Sequence, residues 1–188
     1  MGNHVSDHHI NLYFIALIPH LALREQVKAL KKELKERFNA SKALRSPAHI
    51  TLQMPFKRST QDEPYLIDTL QEFAMVQNKF LVRLAGFDCF SPKVIFVKVL
   101  DHKPIISVHT QLRQVLTDKM EFKENELTQN IHPHMTIATR DLSVEAFGKA
   151  WGEFEKREFE ASFLAQSLFL LKHNGKFWEI YREFLFKS

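Results

Sequence analysis

The chain has few of the residues that cross-link a fold or interrupt it. Among 188 residues there is one cysteine, Cys89, with five glycines and seven prolines. A single cysteine excludes an intramolecular disulfide and favours a reducing compartment, so we expect a cytoplasmic protein. No apolar run approaches about 18 residues, which argues against a membrane span and against the membrane as a partner.

The chain also lacks a large excess of charge of either sign. The formal net charge is +4, a modest basic bias that favours phosphate-bearing ligands without predicting tight binding to duplex nucleic acid. Hydrophobic residues make up 45% of the chain and 17 residues are phenylalanine, a composition typical of a globular protein with an aromatic core. We expect a monomer with a short disordered leader, residues 1–10, and a single domain over 11–188.

Hydrophobic periodicity predicts the same order of elements twice. Predicted strands occupy 11–19, 48–54, 80–87, 94–100, 134–139, 159–171 and 176–186, and predicted helices occupy 21–38, 61–79, 104–120 and 144–157. The chain is therefore predicted to be an α+β protein built from duplicated β-α-β-α-β units. Lobe one would span about 11–90 and lobe two about 91–188, with two antiparallel sheets facing a central cleft.

Two short strings occupy equivalent strands of these halves. His49-Ile50-Thr51-Leu52 and His134-Met135-Thr136-Ile137 share the pattern His-x-Thr followed by an aliphatic residue. Because strand side chains alternate between faces, the His and Thr of each string project together. Two imidazoles, one neutral and one protonated, could then act as base and acid on a phosphodiester near neutral pH.

These strings resemble the paired signatures of the 2H phosphoesterase superfamily, which includes RNA 2′,5′-ligases and cyclic nucleotide phosphodiesterases. The resemblance covers 46–52 and 131–137, where Pro133 directly precedes the second histidine, and extends to the element order over roughly 11–186. It implies a bilobal phosphoesterase domain in which His49 and His134 are the catalytic pair. It also implies chemistry that needs no metal or other cofactor.

The candidate substrate-binding residues surround these strings. Thr51 and Thr136 would donate hydrogen bonds to phosphate oxygens. RNA-ligase-like members often carry an arginine shortly after each string, whereas this chain has Gln53 and Thr139 there. Spacing and proximity indicate the remaining candidates: Gln53 and Arg140 on the motif faces, Lys57 and Arg58 beyond the predicted first motif strand, and Phe56, which would stack on a base or pack in the core.

The expected substrate is a nucleotide or RNA end with a cyclic or 2′-linked phosphate. Two alternatives stay open. The chain could be a nucleotide-binding or RNA-end-binding module of this fold with little turnover, which an assay on cyclic phosphates would distinguish. His132 and His134 could also hold zinc with a distant third ligand. Loss of activity in EDTA would favour this second alternative.

Overall fold

The computed structural model describes residues 9–187, which form eight strands and four α-helices. The strands are β1 (Ile10–Leu17), β2 (Ile50–Ser59), β3 (Phe80–Phe90), β4 (Val94–Val99), β5 (His134–Ala138), β6 (Glu160–Ala165), β7 (Ser167–His173) and β8 (Trp178–Leu185). The helices are α1 (Leu21–Phe38), α2 (Glu63–Met75), α3 (Lys103–Met120) and α4 (Val144–Phe154), with a short 3-10 helix at Lys42–Arg45. Among residues 9–187, no helix combines the length and apolar character that crossing a membrane requires.

The strands form two antiparallel four-stranded sheets, with orders β2-β1-β7-β8 and β5-β4-β3-β6. The predicted α+β class with two antiparallel sheets is therefore confirmed. Each sheet has the same plan, because a motif strand lies at one edge beside the first strand of its half. The predicted leader falls mostly on residues 1–8, outside the described residues, but its last residue, Ile10, already pairs with Ser59.

The predicted lobe boundary at residue 90 differs from the way the sheets are assembled. β3 comes from the first half and pairs with β4 and β6, whereas β7 and β8 come from the second half and join β1. The strand predicted over 159–171 is two strands. The extended segment breaks at Gln166, and its two parts pair with different sheets. Hydrophobic pattern alone does not reveal such a change of partner.

Alternation along β1 separates the main core from the cleft. Tyr13, Ile15 and Leu17 belong to the large core that the helices cover. Phe14 and Ala16 face the opposite way, where they pack with Ile18, Leu171 and the half-buried Phe169 and Trp178 in a smaller apolar cluster. This smaller cluster forms the apolar floor of the cleft on the β1 side.

Helix α1 places a charged residue on its core-facing side. Its buried positions are Leu23, Val27, Lys31 and Leu34, at the spacing of one helical face. The Lys31 Nζ donates a hydrogen bond of 3.0 Å to the Ser46 carbonyl, in the segment that leads to His49. Burial lowers the pKa of Lys31 to about 8, so the ammonium form still predominates at pH 7.

A polar cluster joins the start of α2 to the first sheet. The Glu63 carboxylate accepts hydrogen bonds from the hydroxyls of Tyr13 and Tyr181 and from the Lys172 Nζ, the last at 2.7 Å. The Lys172 ammonium also lies over the Tyr181 ring, 4.6 Å from its centroid. These contacts connect β1, β7 and β8 to a single carboxylate, which we call the Glu63 cluster.

Candidate active site

Both motif histidines lie at the start of a strand, and backbone carbonyls hold their rings. His49 directly precedes β2, and its Nδ1–H donates to the Pro47 carbonyl at 2.8 Å. His134 begins β5, and its Nδ1–H donates to the His132 carbonyl at 2.5 Å. In each case the acceptor lies two residues before the histidine. Since Nδ1 carries the proton, Nε2 is the atom that each neutral ring offers for proton transfer.

Phenylalanines of neighbouring strands support the two rings. The His49 ring lies on Phe14, with centroids 4.9 Å apart, and the His134 ring lies on Phe96 at the same separation. Phe90 contacts His134 edge-on at 5.1 Å. This packing buries much of each imidazole while its hydrogen bond limits ring rotation, so both rings are held in fixed orientations.

Burial and nearby charges lower the pKa of both histidines. Burial, with smaller effects of Lys31 and His134, lowers the pKa of His49 to about 4 against the opposing effect of the Pro47 carbonyl. Burial also lowers the pKa of His134 below its usual value, as do the charges of His132 and His102.

A cavity of about 300 Å³ lies between the two motif strands. Three of the four motif side chains line it, namely His49, Thr51 and Thr136. Its other lining residues come from both sheets and the connections between elements: Phe14, Lys42, Ala43, Arg45, Ser46, Met54, Pro55, Thr139, Arg140 and Trp178. The structure therefore brings residues of both His-x-Thr strings to one cavity, whereas the His134 side chain lies outside its lining.

Matching bulges follow the two threonines. On β2, Thr51 pairs with Ala16 but Gln53 pairs with Ile15, so Leu52 is the extra residue. On β5, Thr136 pairs with Phe96 but Ala138 pairs with Ile95, so Ile137 is extra. A bulge turns the following side chains to the opposite face.

The prediction that Gln53 faces the substrate is wrong because of the first bulge. Gln53 is buried, and its amide Nε2 donates to the Glu126 carbonyl at 2.8 Å while its Oε1 accepts from the Thr128 N–H at 3.1 Å. Met54 lines the cavity in its place, and Thr139 does so after the second bulge.

The three candidates beyond the first motif strand do not line the cavity. Phe56 is buried and packs on Tyr13 and Phe122, so it fills the core instead of stacking on a base. The Arg58 guanidinium pairs with Glu126 at 3.0 Å and lies over the Phe122 ring, 3.8 Å from its centroid. Lys57 is exposed on β2, outside the cavity lining.

Arg140 lines the cavity from a turn, whereas the spacing predicts that it does so from the motif strand. Strand β5 ends at Ala138, so Arg140 stands in the following turn. The next residue, Asp141, accepts hydrogen bonds from the backbone N–H groups of Ser41 at 2.6 Å and Lys42 at 2.7 Å. That carboxylate fixes the 3-10 helix against the turn and gathers three cations at the cavity: Lys42, Arg45 and Arg140.

Several cavity residues carry no sequence signal that would have identified them. Trp178 lies at the start of β8, 129 positions after His49 in the sequence, and reaches the cleft only because β7 and β8 join the first sheet. Lys42 and Arg45 precede the first motif in an ordinary basic stretch. A weak clue for these two was the short distance from that stretch to His49.

The surroundings of His132 can be compared with the alternative in which His132 and His134 hold zinc with a third ligand. The His132 ring contacts the His102 ring edge-on, with centroids 4.7 Å apart, and lies 6.3 Å from the His134 ring. Within the part of the chain described, no group of three or more His, Cys, Asp or Glu side chains is arranged to hold a metal ion.

The fold and the paired motifs define a 2H phosphoesterase, and comparison with known proteins agrees. The family model described as "2'-5' RNA ligase superfamily" matches residues 19–177. The chain belongs to this superfamily.

Individual relatives are distant but cover nearly the whole chain. "Putative phosphoesterase OB1230" of Oceanobacillus iheyensis is 24% identical over 176 residues, which are 92% of this chain and 96% of that protein. The crystal structure of E. coli LigT complexed with 3'-AMP matches with a TM-score of 0.70 at 17% identity, covering 96% of this chain and 100% of LigT. The crystal structure of TT0787 of Thermus thermophilus matches with a TM-score of 0.64 at 16% identity, covering 95% and 98%. LigT has also been crystallised with NADP+ and with ATP.

Proposed function

We propose that the protein is a metal-independent phosphoesterase that acts on cyclic phosphates or 2′-linked phosphodiesters of RNA ends or small nucleotides. The observation that carries this proposal is the pair of histidines, each with Nδ1 bonded to a backbone carbonyl, on two strands that border one cavity. The nucleotides bound to LigT support a nucleotide-sized substrate. Both motif strands belong to one chain, so a monomer would hold the complete site, and a cytoplasmic location stays a prediction.

The electrostatic surroundings of the histidines support His49 as the base and His134 as the acid. His49 lies in the field of Lys31, whose ammonium persists at pH 7, so its imidazole stays neutral and can accept a proton from water or a hydroxyl. The effects that lower the pKa of His134 are burial and the neighbouring His132 and His102, with no lysine among them. His134 is therefore the better general acid, and it would protonate the leaving oxygen on the opposite side of phosphorus.

The threonines and cations would hold the phosphoryl group during this transfer. Thr51 and Thr136 line the cavity from opposite strands and can each donate one hydroxyl hydrogen bond to a nonbridging oxygen. Lys42, Arg45 and Arg140 would offset the charge that develops on these oxygens. Bonds to an anionic phosphate are stronger than those to a neutral acceptor.

Phosphorus NMR tests the proposal directly. Adenosine 2′,3′-cyclic phosphate, a 2′,5′-linked diadenylate and ADP-ribose cyclic phosphate would each be incubated with the protein in EDTA. We expect the signal of at least one substrate to convert to that of a monoester. Binding of these nucleotides without conversion would favour the binding-module alternative, and activity that EDTA abolishes would favour zinc.

The pH dependence of kcat/KM is expected to be bell-shaped with its maximum on the acidic side of neutrality. The lower limb should fall near pH 4, where His49 becomes protonated and can no longer act as a base. The upper limb should fall below about 6.5, the ordinary histidine pKa, because the protonated fraction of His134 declines as pH rises through its lowered pKa.

Lys31→Met separates the two limbs of this profile. Removing the Lys31 charge should raise the pKa of His49 and move the lower limb to higher pH, with less effect on the upper limb. Lys32→Met removes the same charge from an exposed position of the same helix and should leave the profile in place. A lower limb that does not move in Lys31→Met would refute the assignment of His49 as the base.

Arg140→Ala is expected to weaken binding of 3'-AMP about tenfold, because a charge-assisted hydrogen bond to phosphate would be lost. Arg140→Lys should recover only part of the affinity, since an ammonium lacks the planar fork of a guanidinium. Calorimetric titration measures both effects. Lys57→Ala is the matched control, and an effect in this variant but not in Arg140→Ala would transfer the phosphate contact to Lys57.

A further inference from the structure

A second cavity, of about 240 Å³, lies beside the proposed catalytic cavity. Helix α1, the segment before His49 and the start of β8 enclose it. Its lining residues are Leu21, Arg24, Glu25, Lys28, Lys31, Leu44, Arg45, Ser46, Pro47, Ala48, Phe177 and Trp178. A water molecule occupies about 30 Å³ in the liquid, so the space holds a phosphate group with a few waters.

This cavity is strongly basic. Four of its lining residues are cations, Arg24, Lys28, Lys31 and Arg45, and Glu25 is the one carboxylate among them. Glu25 already pairs with Lys28 at 3.4 Å, at an exposed position. The cavity therefore carries more positive charge than its own carboxylate can neutralise.

Two of these cations have donors available for a ligand. The Arg24 Nε is buried and makes no hydrogen bond within residues 9–187. Within the same described residues the Lys31 Nζ makes one hydrogen bond, to the Ser46 carbonyl, whereas an ammonium has three N–H donors. Burying such donors without partners is costly, and an anion in the cavity would satisfy them.

The basic cavity and the catalytic cavity share a wall. Arg45, Ser46 and Trp178 line both of them, and the segment from Ser46 to His49 runs between the two. The exposed aromatic surface of Phe177 lies at the basic cavity, next to Trp178. A ligand with two phosphates joined by a nucleoside could therefore occupy both cavities, with its sugar or base against the Trp178 ring.

We propose that the cavity lined by Arg24, Lys28, Lys31 and Arg45 is a subsite for a second phosphate of the substrate. The subsite rests on the proposed function and gives it a substrate preference: nucleotides or RNA ends with a phosphate beyond the one that reacts. That phosphate is either a terminal monoester of a mononucleotide or a backbone diester of RNA.

Matched ligands test the subsite by binding alone. Dissociation constants would be measured by calorimetry for 3'-AMP, adenosine 3′,5′-bisphosphate and the dinucleotide ApAp, which has an internal diester and a terminal phosphate. We expect at least one two-phosphate ligand to bind about tenfold more tightly than 3'-AMP or better, as charge-assisted contacts imply. The ligand that gains affinity identifies the source of the second phosphate.

The double variant Arg24→Met/Lys28→Met should reduce this preference to near unity, whereas Lys32→Met should retain it. If the double variant does not fold, the exposed Lys28→Met alone should still lower the preference severalfold. Equal affinity for one-phosphate and two-phosphate ligands in the unsubstituted protein would overturn the subsite. A preference that survives unchanged in the double variant, or in Lys28→Met if the double variant does not fold, would also overturn it. Because binding needs no turnover, an inactive protein would end the proposed function without deciding this question.

Discussion

His49→Ala is expected to lower kcat on a cyclic nucleotide at least about a hundredfold, and His134→Ala should do the same, because each removes one partner of the proton transfer. Initial rates from phosphorus NMR or chromatography measure the loss. Since base and acid act in the same step, the double variant should be little worse than either single variant.

The control for this prediction is His9→Ala, which removes an exposed histidine that does not line the cavity. It should keep full activity, and thermal unfolding should show that all three single variants are folded. Full activity in either motif variant would mean that its histidine takes no part in catalysis. The proposed mechanism would then fail, while membership of the superfamily would stand.

Glu63→Ala is expected to lower the free energy of unfolding by about 3 kcal/mol. It leaves the partly buried Lys172 and two tyrosine hydroxyls without their shared acceptor. For a chain of this length, such a loss corresponds to a fall in Tm of roughly 6 to 12 °C. Urea unfolding followed by circular dichroism measures it. The control, Glu145→Ala, breaks an exposed pair with Lys149 and should leave the free energy of unfolding nearly unchanged.

The contribution of Glu63 should also depend on pH. Burial would raise the pKa of this carboxyl, but hydrogen bonds from Lys172, Tyr13 and Tyr181 outweigh burial and hold the pKa below its usual value. A lowered carboxyl pKa gives stability that is present above the unfolded-state value, about 4.3, and is lost as pH falls through the folded-state value. The stability difference between the unsubstituted protein and Glu63→Gln should therefore shrink between pH 6 and pH 3. A difference that is constant over this range would contradict the role of the charge.

The sequence allowed the two motif strands and their equivalence to be predicted, because alternation of side chains is a local property of a strand. It did not reveal the bulges at Leu52 and Ile137, which depend on the partner strand and which moved Gln53 away from the cleft. The same limit explains Phe56 and Arg58, whose positions are set by contacts with Phe122 far along the chain.

The assembly of the two sheets shows the same limit of prediction from local sequence. The strand-like pattern over 159–171 is compatible with one long strand, and only the competition between two sheet edges divides it at Gln166. Trp178 reaches the cavity through the same long-range assembly, so local pattern could not have identified it as a site residue.

The exchange of strands between the halves of the chain has a consequence for assembly. A ribosome that has released residues 1–90 has produced only β1 and β2 of the first sheet, and β7 and β8 complete it nearly at the end of synthesis. Neither half can therefore be a stable folding intermediate with a finished sheet, and pairings of such long sequence separation slow folding. Because each sheet contains strands from both halves, the two histidines are carried by interlocked sheets and not by independent domains joined at a hinge.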